Sequence, residues 1–203
     1  MFKAIQEHCD SLVAMFPAIS DERKATLSKI AAYIQTKKDS SSPILLVYIC
    51  THNSRRSHFG QIWGAVAASY YSIPGVQTYS GGTQATAFHP NAIQALRAAG
   101  FDILTDGSSN NPTYTVRFSD HEACNCFSKV YDDSTNPKEK FAAIMTCSDA
   151  DENCPFIPGV ELRVGTTYDD PKAADGTPQE AETYLQRSNQ IAVETLYAFS
   201  LVR

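Results

Sequence analysis

Residues 44–50 read Ile-Leu-Leu-Val-Tyr-Ile-Cys, an unbroken apolar and β-branched run. A strand with one face in water alternates apolar and polar side chains. A run without alternation belongs to a strand covered on both faces, as in a parallel sheet flanked by helices. Parallel strands need long crossovers, so the rest of the chain must supply helices between strands. It does so in alternation. Residues 57–71 place Ile62, Trp63, Val66 and Ala67 on an inward helical face, 76–79 form a short strand, and Pro90 opens a helix over 90–99. Residues 141–146 and 161–164 supply the third and fourth strands, and 178–200 form a long closing helix with Tyr184, Ile191, Leu196, Tyr197 and Phe199 on or near its apolar stripe. The pattern predicts an α/β domain with a four-stranded parallel sheet, its ligands bound beyond the carboxyl ends of the strands.

Two stretches fall outside this alternation. Ile5, Cys9, Leu12, Val13 and Phe16, then Leu27, Ile30, Ala31 and Ile34, recur at helical spacing on either side of Pro17. Ser20 is a natural N-cap, with Asp21 and Glu22 suited to the positive end of the second helix, so residues 1–40 read as an N-terminal helical hairpin. The polar linker 37–43 separates it from a catalytic domain over 41–203. Residues 104–138, rich in Asp, Ser, Asn and Pro, read as an insertion near the mouth of the site, with an edge strand at Tyr114–Phe118.

Among 203 residues, 17 Lys and Arg face 22 Asp and Glu, a formal charge of -5, so no sequence-wide positive field awaits nucleic acid. Any phosphate chemistry here concerns a small anion. Glu7, His8 and Asp10 interrupt the apolar positions of the N-terminus, and no apolar run reaches the roughly 20 residues that span a bilayer, so a cytoplasmic location without membrane contact is expected. In that compartment the six cysteines read as core residues, metal ligands or reactive thiols rather than disulfides. Cys9 lies on an apolar stripe and reads as core, while Cys124 and Cys126 with His121 make an incomplete zinc set; neither metal nor cofactor is expected. His89, before Pro90, reads as a loop or capping residue.

The first strand runs into Cys50-Thr51-His52-Asn53-Ser54-Arg55-Arg56-Ser57, a cysteine and an arginine separated by five residues immediately before a helix. Such a loop can turn the N–H groups of Thr51, His52, Asn53, Ser54, Arg55 and Ser57 into one concavity, completed by the helix N-terminus as an anion cradle. Cys50 sits at its floor, where the dipole, the N–H groups and Arg56 favour a thiolate over a thiol. Arg56 offers a planar fork for two oxygens of a tetrahedral oxyanion. Asn53 can hold the loop's backbone, the Ser57 hydroxyl can stabilise the thiolate, and Arg55 adds positive charge at the rim.

This segment resembles the low-molecular-weight protein tyrosine phosphatases and their relatives, the thioredoxin-coupled arsenate reductases. Tyr79-Ser80-Gly81-Gly82-Thr83, His89-Pro90-Asn91-Ala92, Gly100-Phe101-Asp102-Ile103, Thr146-Cys147-Ser148-Asp149-Ala150-Asp151 and Asp169-Asp170-Pro171 follow in the family's order. The resemblance covers 44–103 and 141–200 and implies a flavodoxin-like strand order. It implies that Asp170 is the general acid that protonates the leaving oxygen. It also implies a relay: after Cys50 attacks arsenate, Cys147 attacks the adduct and releases arsenite, and Cys154 then forms an exposed disulfide with Cys147 for a thioredoxin-like reductant. The chain departs from the family at His52, where Gly is usual, at Arg55, where Cys is usual, and at Gln61, where the potassium-binding reductases have Glu. Lys172-Ala173 replaces the aromatic pair that follows Asp-Pro in many tyrosine phosphatases. Arsenate reduction is thus the expected activity. Its rivals are hydrolysis of phosphotyrosine or a small phosphate ester through phospho-cysteine, and a catalytically idle phosphate-binding module.

Overall fold

The apolar run forms β1 (Ile44–Cys50), and the residues that flank it decide the sheet around it. A computed structural model describes residues 1–105, 107, 109–153 and 156–203. β1 pairs in parallel with β2 (Val76–Gly82) on one side and β6 (Phe141–Met145) on the other, and β7 (Val160–Gly165) completes the order β2-β1-β6-β7. This is the four-stranded, flavodoxin-like sheet expected. The register pairs Cys50 with Gly82, Ile49 with Met145 and Met145 with Gly165, so the carboxyl ends finish nearly level.

Alternation along β1 sorts its side chains between two unequal covers. Leu46 and Tyr48 face a large core shared with α1 (Lys3–Val13), α2 (Asp21–Asp39), α3 (Arg56–Tyr70), α4 (Pro90–Ala98) and α6 (Glu180–Ser200). Val47 and Ile49 face a smaller cluster with Ala143, Met145, Cys147, Ala150 and Ile157, under the short α5 (Ser148–Asn153). The long helices therefore gather on one face, and a short helix and loops close the other. Ser20 accepts a hydrogen bond from the Arg23 N–H at 3.2 Å, as its capping position predicts. The helical hairpin forms, with Ile5, Cys9, Leu12, Leu27, Ile30 and Ile34 buried in the same core as the sheet.

The stretch after α4 differs from the expectation. β3 (Asp102–Thr105), β4 (Tyr114–Arg117) and β5 (Ala123–Cys126) form a second, antiparallel sheet, so the segment at 114–118 is a central strand and the added structure begins before residue 104. These strands are four residues each and mostly polar; only Ile103, Val116, Cys124 and Cys126 are buried, too few positions to announce a sheet in the sequence. Beyond β5 the chain returns to the sheet end, where Gly82 and Tyr131 exchange backbone bonds with Lys129 and Gly82 at 2.9 Å. Among the described residues, no helix is long and apolar enough to cross a membrane.

Candidate active site

The loop between β1 and α3 takes its shape from bonds made by its carbonyls. Cys50 O accepts from Thr83 N (3.1 Å), Thr51 O from Gln84 N (2.8 Å) and Ser54 O from His89 N (3.0 Å). His52 O accepts from the hydroxyls of Thr86 and Ser128, each at 3.0 Å. With these carbonyls tied to neighbouring segments, no protein acceptor among the described residues takes the N–H groups of Thr51 to Arg56, and no side chain caps α3. That is the arrangement of an anion-binding nest at a helix N-terminus. Asn53 adopts a left-handed φ of 44°, a conformation Asn tolerates better than most residues. Gly82 lies so close that a Cβ there would meet Asn53 N and Thr51 O at 2.7 Å.

Asn53 is fully buried, and both ends of its side chain are used. Its Oδ1 accepts from Lys129 N and its Nδ2 donates to Ser57 Oγ, both at 2.8 Å. Cys50 Sγ lies 3.1 Å from the same Ser57 Oγ. Because Ser57 Oγ already accepts from Asn53, its own proton is free to point at sulfur.

Arg56 is anchored on the far side of the loop. Nη1 donates to Tyr168 O at 2.8 Å and Nη2 to Asp170 Oδ2 at 2.6 Å, while its buried Nε has no partner among the described residues. Asp170 Oδ1 accepts from Lys172 N at 3.0 Å and so caps a 3-10 turn over Pro171–Ala174. The cavity bounded by Cys50, His52, Ser54, Arg55, Arg56 and Asp170 measures only about 10 Å³. A cleft of about 590 Å³, lined by Arg56, Ser148, Tyr168, Asp169, Asp170, Lys172 and Ala173, shares two of these residues. Arg55 lines the small cavity beside Cys50, and its charge is already engaged there. Its guanidinium bonds Tyr184 Oη (2.6 Å from Nε) and Asp175 (3.3 Å from Nη2), the acceptors a buried cation needs.

Cys147 lies two residues beyond the end of β6 and is 1% exposed. It packs in the cluster that holds Cys50, its Sγ lies 3.4 Å from Thr51 Oγ1, and it accepts from Ala150 N at 3.4 Å. The polar segment that follows, Ser148–Asn153, is α5, whose first-turn Asp149 and Asp151 suit a helix start and whose Ala150 packs inward. Acidity marked the outer side of this turn and concealed the buried thiol beneath it. Cys154 lies outside the described residues.

The remaining candidates find structural places. His89 Nδ1 accepts from Asn91 N at 3.3 Å, a helix cap. Burial pushes the thiols of Cys9 and Cys124 up to about 12, and Cys126 Sγ donates to Gln61 Oε1 at 3.7 Å. Among the described residues, no three His, Cys, Asp or Glu side chains gather as a metal site. A cavity of about 1130 Å³ lies elsewhere, between α3, β2 and the antiparallel sheet. Sequence reading missed two buried bases behind the cradle. His58 on α3 stacks on Phe88, and burial, reinforced by Lys129, pushes its pKa down to about 3. Lys129 is 5% exposed, its ammonium 4.4 Å from the Phe127 ring centroid. Neither sits in a motif, so only tertiary burial reveals them.

No family model matches the chain. The arsenate reductase of Bacillus subtilis (strain 168) is 28% identical over 143 residues, 70% of this chain and 85% of the relative. Arsenate reductase 2 of Staphylococcus haemolyticus (strain JCSC1435) is 31% identical over 127 residues, 62% of this chain and 77% of the relative. Among solved structures, a low-molecular-weight phosphotyrosine phosphatase from Vibrio cholerae O395 superposes with a TM-score of 0.51 at 15% identity, over 76% of this chain and 93% of its own. The YwlE arginine phosphatase from Geobacillus stearothermophilus gives 0.51 at 14%, over 78% and 92%. These two likenesses establish the fold.

Proposed function

Because the chain belongs to the low-molecular-weight protein tyrosine phosphatase superfamily, in its arsenate reductase branch, we propose that it reduces arsenate with Cys50 as nucleophile and Cys147 as the first relay thiol. The observation that carries this reading is the placement of both thiols in one small buried cluster, with Thr51, the first residue of the cradle, 3.4 Å from Cys147 Sγ.

A cavity of about 10 Å³ holds roughly one water, so arsenate must first displace Asp170 from Arg56. The oxyanion then takes the guanidinium fork and the nest of N–H groups. The Cys50 thiolate attacks arsenic, and an arsenic–oxygen bond breaks as that oxygen leaves as water with a proton from Asp170. The Cys147 thiolate then attacks Cys50 Sγ. The sulfur–arsenic bond breaks, its electron pair stays on arsenic, and arsenite departs, leaving a Cys50–Cys147 disulfide. The Cys154 thiolate attacks Cys147 Sγ and frees the Cys50 thiolate. A thioredoxin-like dithiol returns two electrons to the Cys147–Cys154 disulfide.

The phosphatase reading is favoured by one feature: Cys50, Arg56 and Asp170 stand together without needing either relay cysteine. Parallel assays of arsenate reduction with thioredoxin and of aryl phosphate hydrolysis separate the two. Cys50→Ser should abolish both activities and keep oxyanion binding. Cys147→Ser should stop arsenate turnover and spare ester hydrolysis, and Cys154→Ser should allow one turnover and trap Cys50–Cys147, seen by non-reducing peptide mapping. Arsenate reduction that survives intact in both relay variants, or a wild type that only hydrolyses esters, overturns the relay.

A further inference from the structure

We propose that Arg55 is a positioning residue: it tethers the segment carrying Asp170 to the cradle while Arg56 is occupied by the oxyanion. The proposal rests on the assignment of Cys50, Arg56 and Asp170 above.

Asp170 and Asp175 bracket the 3-10 turn at Pro171–Ala174, and two consecutive arginines hold the two ends. Arg56 Nη2 pairs with Asp170 Oδ2 at 2.6 Å, and Arg55 Nη2 pairs with Asp175 Oδ2 at 3.3 Å. The Arg55 end is braced from several directions. Its Nε donates to Tyr184 Oη at 2.6 Å, and that hydroxyl donates to Asp175 Oδ1 at 2.7 Å, closing a triangle anchored on α6. Burial and the Asp175 carboxylate push the Tyr184 phenol up to about 12, so it remains a donor at neutral pH. The His89 ring stacks on Tyr184 with centroids 5.6 Å apart, at the start of α4.

The two ends differ in what binding does to them. An oxyanion needs the Arg56 fork, so the 2.6 Å ion pair with Asp170 is lost when substrate binds. Arg55 lines the same small cavity, but its Nε and Nη2 are already held by Tyr184 and Asp175, so the oxyanion can take the Arg56 fork without breaking those contacts. Arg55 Nε also lies 4.0 Å from Asp170 Oδ1, near enough to attract the carboxylate once Arg56 lets go. The general acid thereby keeps its place during the step that uses it. A lysine cannot make the Nε and Nη2 contacts together, so the tether is specific to arginine.

The test uses the full chain with Arg55→Gln and, as a gentler cut at the other end of the same bond, Asp175→Asn. Hydrogen exchange with saturating inorganic phosphate should show faster exchange over residues 169–176 in both variants and wild-type protection in the central strands. Unchanged exchange over 169–176 in both variants overturns the tether, whatever their activity. The kinetic readout is the ratio of kcat/KM for phenyl phosphate, whose leaving group needs a proton, to that for 2,4-dinitrophenyl phosphate, whose leaving group does not. General acid catalysis is worth about 10²–10⁴-fold, so misplacing Asp170 should lower that ratio by about 10-fold or more. Equal losses on both esters would mark a general structural defect and refute the positioning role. A wild type inactive on both esters and on arsenate would sink the assignment of Cys50 instead, and the exchange measurement would still decide the tether.

Discussion

Replacing Asn53 by Ala tests whether the cradle's shape rests on one buried amide. Alanine at the observed φ of 44° is strained by about 1 kcal/mol relative to a residue that tolerates the left-handed region. The substitution also leaves the Lys129 N–H, now bonded at 2.8 Å, without an acceptor in a buried setting, which costs about 1–3 kcal/mol. The two effects together give about 3 kcal/mol, and for a domain of this size about 2–4 °C of melting temperature per kcal/mol makes the expected loss about 6–12 °C. Asn53→Gly relieves the strain but still lacks the bond to Lys129 N, so it should recover about 1 kcal/mol of the deficit. Urea denaturation followed by circular dichroism and by fluorescence of Trp63 supplies the measurement. Both variants should also lose activity beyond their loss of stability, because Ser57 no longer receives the Asn53 Nδ2 proton that orients its hydroxyl toward Cys50. An Asn53→Ala protein within about 0.5 kcal/mol of wild type, the range typical of surface substitutions, would refute the reasoning.

Arg56→Lys should cut kcat/KM for arsenate by about 10²-fold or more, since a point charge cannot reproduce a planar fork; retention of about a tenth of the wild-type rate contradicts this. Gly82→Ala should cost about 10²-fold in rate with the fold retained, because its Cβ would press on Gln84 O at 2.5 Å and on two cradle backbone atoms at 2.7 Å. Crystallographic or kinetic evidence of an undisturbed cradle would refute that expectation. His58, pushed down to about 3 by burial, stays neutral in the folded chain while the unfolded chain takes up a proton near 6.5. Its contribution is therefore intact above pH 6.5 and lost progressively as pH falls toward 3, and His58→Gln should flatten the stability curve in that window. Parallel curves for variant and wild type would count against a buried neutral imidazole.

The strand, the cradle and the helix after it were legible in residues 44–57 because each step there is local. An unbroken apolar run makes a strand buried on both faces, and five residues between Cys50 and Arg56 bring a thiol and a guanidinium to one turn before a helix. The Ser20 cap and the amphipathic stripes of α1 and α2 are local in the same sense. The antiparallel sheet was not legible, since strands of four residues with one or two buried positions each carry too little period to stand out from a polar loop.

What the tertiary structure decided is direction and burial. Arg55 and Arg56 are neighbours with the same chemistry, yet one turns to Tyr184 and Asp175 and the other to Tyr168 and Asp170, more than a hundred residues away in the chain. Cys147 stands in an acidic, polar stretch and is nevertheless buried beside Cys50, because Ala150 and Ile157 close over it. Periodicity reports which residues share a face. Which neighbour covers that face, and which acceptor a buried cation finds, depends on segments that meet only when the chain has folded.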